Sequence, residues 1–326
     1  MTVKQIDFSK TFTDDQMYDC IIKNYGYLGR EWIFHQWNWM NFVYTPFKDH
    51  VKYYILITLI EKTLQFYDQM NIHYTYEQFY SYKKFQIEQF SITEICKKLY
   101  LPKETVRRKV LELEQLGVIK RQKKKIIIDR SAFTMINPNQ QLKVTARYLF
   151  LFAEHLNKNA SMKNDYLKNM SSETIQAILK KNFSLCLRWF YRMQIPIMLS
   201  YNKFFSDSLT FHVWGTVVMN QVFNIKKSNI ELIEQGRLDF NRLVISESNN
   251  SAGLSAMSIS EMTQIPRATV IRKCKTLTEF KYLYTNDKNQ FCLSGLKNNE
   301  ISPHQSEVFK IKSKFLRKIL NLVIIS

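Results

Sequence analysis

Glycine and proline are scarce, with seven and six in 326 residues. Turn-rich all-β folds consume both at every hairpin, so the chain reads as mostly helical. Cysteine is sparse too. Cys20, Cys96, Cys186, Cys274 and Cys292 are odd in number, far apart and never in a C-x-x-C spacing. That excludes a disulfide framework and a zinc cluster, and it suits a reducing compartment. No run of 18 apolar residues occurs. The closest approach, YYILITLI at 53–60, runs into Glu61 and Lys62, and the opening MTVKQIDFSK lacks the apolar core of a signal peptide. A soluble, cytoplasmic protein is expected.

Catalytic signatures are missing as well. There is no glycine-rich phosphate loop and no G-x-S-x-G. The six histidines, at 35, 50, 73, 155, 212 and 304, are scattered and form no H-x-x-x-H. Neither an enzyme nor a bound cofactor or metal is expected.

Acid is the scarcer charge. Lys and Arg number 47 against 28 Asp and Glu, giving a net charge of +19 and a pI near 9.6. So large an excess repels itself and is easiest to understand with a polyanionic partner, nucleic acid first.

What the chain does have is a repeated phrase. LPKETVRRKV at 101–110 returns as IPRATVIRKC at 265–274. Around the first copy, Ser91 begins a capping signature with Glu94, followed by a short helix. Leu101-Pro102 makes a turn, since proline disfavours helix at the residue before it and starts the next helix well. The second helix sets Val106, Val110, Leu113 and Leu116 on one face, and Gly117 ends it. VIK, the basic tip RQKKK and IIID read as a hairpin. The second copy, 254–295, aligns without a gap from Leu254/Phe90 to Lys273/Lys109. Lys281 stands where Gly117 does, so this helix end is less certain, and the tip TNDKNQ is barely basic.

Helix, tight turn, helix and hairpin, with the L-P-x-x-T-V-x-R phrase, resemble the winged helix-turn-helix module of IclR-type and MarR-type bacterial regulators. The resemblance covers about forty residues per copy. It implies DNA binding, with the second helix in the major groove.

The repetition reaches further. Residues 45–67 resemble 203–225, both reading as long apolar helices. Residues 137–152 resemble 302–317, each continuing as an amphipathic helix. An internal duplication follows, giving a mostly α chain with two small β-wings, its tandem winged helix-turn-helix units packed as a pseudo-dimer. Residues 1–165 hold long helices, the first module (about 90–130) and a trailing helix. Residues 166–326 hold connecting helices, the second module (about 254–295) and a C-terminal helix.

Charge follows the modules. Residues 91–130 carry twelve Lys or Arg against five Asp or Glu, and 255–297 carry seven against three. Together they hold +11 of the +19. The start of a recognition helix faces base edges. In the first copy those residues are Lys103, Glu104, Thr105, Arg107, Arg108 and Lys109. In the second they are Arg267, Ala268, Thr269, Ile271, Arg272 and Lys273. Arg and Lys donate to guanine, and Glu accepts from cytosine. Thr105 and Thr269 are either phosphate contacts or local helix-start hydroxyls. The wing residues Arg121, Lys123, Lys124, Lys125 and Lys288 would lie along phosphates.

The copies differ at Glu104/Ala268 and Arg107/Ile271, so one chain should read a non-palindromic pair of half-sites about one helical turn apart. A sequence-specific regulator of transcription that binds double-stranded DNA is the leading expectation. A plasmid- or phage-type replication initiator with two winged helices is the alternative. The sequence leaves open any contact with RNA polymerase or a second copy of the chain. In EWIFHQWNWMNF, 31–42, Trp32, Trp37 and Trp39 are expected to be core, an aromatic pocket being the alternative.

Overall fold

The computed structural model describes residues 10–87, 91–122, 125–129, 138–158, 164–168, 170–225, 244, 253–294 and 298–326. In chain order the helices are α1 (Asp14–Lys23), α2 (Tyr25–Tyr44), α3 (His50–Gln69), α4 (Tyr76–Ser81), α5 (Ile92–Leu99), α6 (Lys103–Gln115), α7 (Asn139–Lys158), α8 (Asp165–Lys168), α9 (Ser172–Lys181), α10 (Phe183–Phe205), α11 (Ser208–Phe223), α12 (Ala256–Thr263), α13 (Arg267–Glu279) and α14 (Asn298–Ile325). The strands are β1 (Lys84–Ile87), β2 (Ile119–Gln122), β3 (Lys125–Asp129), β4 (Leu283–Thr285) and β5 (Phe291–Leu293). The chain is mostly helical with two small antiparallel sheets, ordered β1-β3-β2 and β4-β5. Strand β1 had no signal in the sequence reading. It pairs Lys84 with Asp129 and Ile87 with Ile126, which extends the expected hairpin to three strands.

Two compact units form, and they do not follow the halves of the sequence. One gathers residues 1–41, 143–175 and 200–326; the other gathers 42–142 and 176–199. We call them the outer and inner units after their order in the chain.

In the inner unit, α3 is the central element. Tyr53 to Leu59 is buried all round, as a helix without a polar face must be. Asp49 starts it by accepting from the amides of Val51 and Lys52. Helices α5 and α6 and strand β1 pack on α3. Glu61, the acid that ended the apolar run, is itself buried. Lys98 binds it at 2.6 Å and Arg188 lies 3.9 Å away, so its charge is compensated.

In the outer unit, α11 holds the corresponding place. Asp207 caps it by accepting from the Thr210 amide. Helices α12 and α13 and strand β5 pack on it, and α1 packs along α14.

The two helix–turn–helix stretches share the positions of their caps, turns and buried faces. Ser91 and Ser255 cap the first helices, accepting from the amides of Glu94 and Ser258. Glu94 does not close a reciprocal capping box; it bonds Lys62 at 2.6 Å instead. Each turn passes through one residue in the left-handed region, Tyr100 at φ 52° and Gln264 at φ 58°. The second helices bury Val106, Val110 and Leu113 in one copy, and Val270, Cys274 and Leu277 in the other. Leu116 is not on that buried face as expected. It is the C-cap residue and is exposed, and so is its counterpart Phe280.

Both second helices end in the same reversal. Val118 N–H donates to the Leu113 carbonyl and Tyr282 N–H to the Leu277 carbonyl. The residue between must take a positive φ, and Gly117 does so at 73°. Lys281 adopts φ 60° despite its Cβ. The missing glycine therefore leaves the helix end in place and adds local strain of about 1–2 kcal/mol.

Candidate nucleic-acid interface

Burial of one helix face fixes which residues its other face offers. In α6, Lys103, Glu104, Arg107, Arg108, Leu111 and Gln115 are exposed. In α13, Arg267, Ala268, Ile271, Arg272, Lys275 and Glu279 are exposed. These positions recur at three- and four-residue steps and match one to one between the copies. Arg107 and Arg108 keep 60% and 66% of their side chains exposed. Their nearest acids, Glu104 and Glu112, sit 3.8 Å away, so neither guanidinium is held tightly. Thr105 and Thr269 are half-buried within the first helical turns.

Two of the expected DNA contacts are placed elsewhere. Lys109 and Lys273 leave only 16% and 17% of their side chains exposed. Lys109 reaches Asp49 at 2.7 Å and Glu112 at 3.0 Å, and Lys52 joins the same Glu112 at 3.0 Å. Lys273 reaches Asp207 at 2.5 Å. Each lysine thus binds the aspartate that caps the long helix beneath it. Burial alone would lower the Lys109 pKa, but the bonds from Asp49 and Glu112 outweigh it and hold the ammonium above its ordinary value. Burial likewise pushes the Asp207 carboxyl up, and the bonds from Lys273 and Thr210 bring it below the ordinary range. The reading of Lys109 and Lys273 as DNA contacts gives way to a structural role: they fasten each second helix to its scaffold.

Arg121 stands on β2, half exposed, and forks onto Glu114 through Nε and Nη2. That pair raises the arginine and lowers the glutamate, and it spends part of the cation locally. Lys123 and Lys124 lie outside the described residues, as does the side chain of Lys125. Lys288 is exposed at the β4–β5 turn, where its amide donates to the Asn286 side chain.

The sequence reading missed three exposed groups in these stretches. Lys120 points to solvent from β2, Lys275 shares the face of Arg267 and Arg272, and Tyr100 at the turn is 84% exposed. For Lys275 the signal was present: it follows Arg272 by three residues and Ile271 by four. Nothing in the local pattern marks Tyr100, because only the left-handed turn turns its ring outward.

The aromatic stretch at 31–42 is largely core. Trp32, His35, Trp39 and Met40 are buried, with His35 stacked on Trp32 at 5.1 Å. Trp32, Trp37 and Met40 also form part of a cavity wall. The cysteines behave as small apolar groups: Cys20, Cys186 and Cys274 are buried and their thiols are pushed up to about 12. Among the described residues, no cluster of three or more His, Cys, Asp or Glu is placed to hold a metal, and no helix is long and apolar enough to cross a membrane.

Comparison with known proteins places the chain in no group: no family model, curated protein or solved structure matches it.

Proposed function

We propose that this chain binds double-stranded DNA sequence-specifically and acts as a regulator of transcription. In this reading it carries two winged helix-turn-helix units that arose by internal duplication. The observation that carries the proposal is the matched outward face of α6 and α13. Six equivalent positions per helix are exposed, cations stand at three of them in each helix, and the inward lysine is tied to the cap of a long helix. A surface protein helix has no need to repeat such detail. A helix that must present its first turns to a groove needs the scaffold fixed and the outer face left unpaired.

Duplication is supported by features the pairing of sequences did not require. The left-handed residues fall at 100 and 264, and at 117 and 281, and the cap aspartates 49 and 207 serve equivalent lysines. The two outer faces differ in chemistry, Glu104 and Arg107 against Ala268 and Ile271. Two unlike half-sites are therefore the target, rather than a palindrome.

Selection of bound fragments from random duplex DNA tests this reading. A bipartite, non-palindromic consensus supports it. A lack of preference, or a perfect palindrome, overturns it. Replacing Arg107 and Arg108 with alanine should erase preference in one half-site only. Bound genomic fragments that cluster upstream of genes fit a regulator, whereas clustering at an origin assigns the same surface to replication initiation.

A further inference from the structure

The outer unit contains a cavity of about 130 Å³. Its apolar wall includes Trp32, Trp37, Met40, Phe211, Val218 and Phe309. Among the described residues, the one charged side chain on that wall is Lys312, which is 1% exposed. Its Nζ lies 4.5 Å from the Trp32 ring centroid, 5.5 Å from that of Phe309 and 5.6 Å from that of Tyr148. Besides these three aromatic faces the Cys20 thiol and His35 feel its charge, and among the described residues no carboxylate forms an ion pair with it.

An unpaired lysine in an apolar site is costly, and proteins rarely bury one without a counter-charge. A helix needing only packing at this position would be better served by methionine or leucine. Three aromatic faces soften the cost but supply no full negative charge. Space is open beside the lysine's wall as well. A Cβ built on Gly215, another wall residue, would meet nothing within 4 Å. An apolar cavity of similar size, about 150 Å³, accepts benzene.

We propose that this cavity binds a small aromatic monocarboxylate of about benzoate size, its ring against the indole and phenyl walls and its carboxylate on the Lys312 ammonium. The ligand would supply the counter-charge that the described residues do not. Burial lowers the Lys312 amine to about 7, so near neutral pH it is balanced between amine and ammonium, and a bound anion favours the ammonium. The inference does not depend on DNA binding and concerns only the outer unit.

Titration of the full-length chain with benzoate, benzamide and toluene, followed by tryptophan fluorescence and calorimetry, tests it. Trp32, Trp37 and Trp214 on the wall serve as reporters. Benzoate should bind at least tenfold more tightly than benzamide, and Lys312→Met should abolish that preference while toluene still binds. Should that variant fail to fold, Gly215→Leu keeps the test open. Leucine fits a helix better than glycine, and its side chain would occupy the cavity, so this variant should fold and bind no benzoate. Benzoate binding no better than benzamide, no binding to the wild-type chain, or unchanged benzoate affinity in Gly215→Leu each overturns the proposal.

Discussion

Residue 281 shows how one side chain can depart from a rule that its surroundings enforce. The helix end needs a positive φ there, and lysine supplies it at a cost that glycine avoids. Lys281→Gly should stabilise the chain by about 0.5–1 kcal/mol, and Gly117→Ala should destabilise it by about 1–2 kcal/mol. Urea midpoints of the two variants, moving in opposite directions, check this. Buried histidines set a second residue-scale property. Burial holds His35 and His50 down at about 3. Between that value and the ordinary value near 6.5, the unfolded chain binds more protons than the folded one. Stability is therefore full above pH 6.5 and falls as pH drops toward 3. Lys312 works in another window, because its folded value near 7 lies below its ordinary 10.5. Its contribution to stability rises with pH between those values, so thermal midpoints should climb from pH 4 to 6.5 and again from 7 until the three buried thiols, held near 12 against an ordinary 9, reverse the trend above about 9. Lys312→Met should flatten only the second climb.

At the scale of the element, similar cations on one helix do different work. Lys109 and Lys273 face inward to capping aspartates, while Arg107, Arg108 and Arg272 face out. Lys109→Met and Lys273→Met should each lower stability by about 1–3 kcal/mol, the range for a lost charge-assisted hydrogen bond, and leave DNA sequence preference unchanged. Arg107→Ala with Arg108→Ala should leave the melting temperature nearly unmoved and cost about 1–3 kcal/mol of discrimination per base contact. Melting curves and competition binding separate the two sets. The second hairpin depends on a close approach. An alanine Cβ at Gly253 would stand 2.6 Å from Cys292 Sγ and 2.7 Å from the Phe291 carbonyl oxygen. Gly253→Ala should destabilise the β4–β5 hairpin by about 1–3 kcal/mol, read as faster amide exchange at 291–293. Helix starts, turns and ends were legible in advance because capping residues, proline and glycine act locally. Strand β1 was not, since a four-residue edge is defined only by the strand it pairs with.

For the whole molecule, a charge of +19 makes salt the decisive variable. A complex neutralising about six phosphates should weaken by about three orders of magnitude between 50 and 200 mM salt. Filter binding at several salt concentrations measures the slope, and a flat slope would remove DNA as the partner. Lysines 123–125 to glutamine should reduce that slope and leave sequence preference intact.

The sequence by itself determined the helical class, the two helix–turn–helix stretches, their hairpins and, Leu116 apart, the buried face of α6. Each follows from spacing and turn chemistry within some twenty residues. Only the tertiary structure decided that Lys109 and Lys273 are anchors, that residues from three separate segments gather into one compact unit, and that Lys312 stands in an aromatic cavity. Those outcomes depend on which distant side chain arrives beside which, and Asp49 lies 60 residues from the lysine it holds.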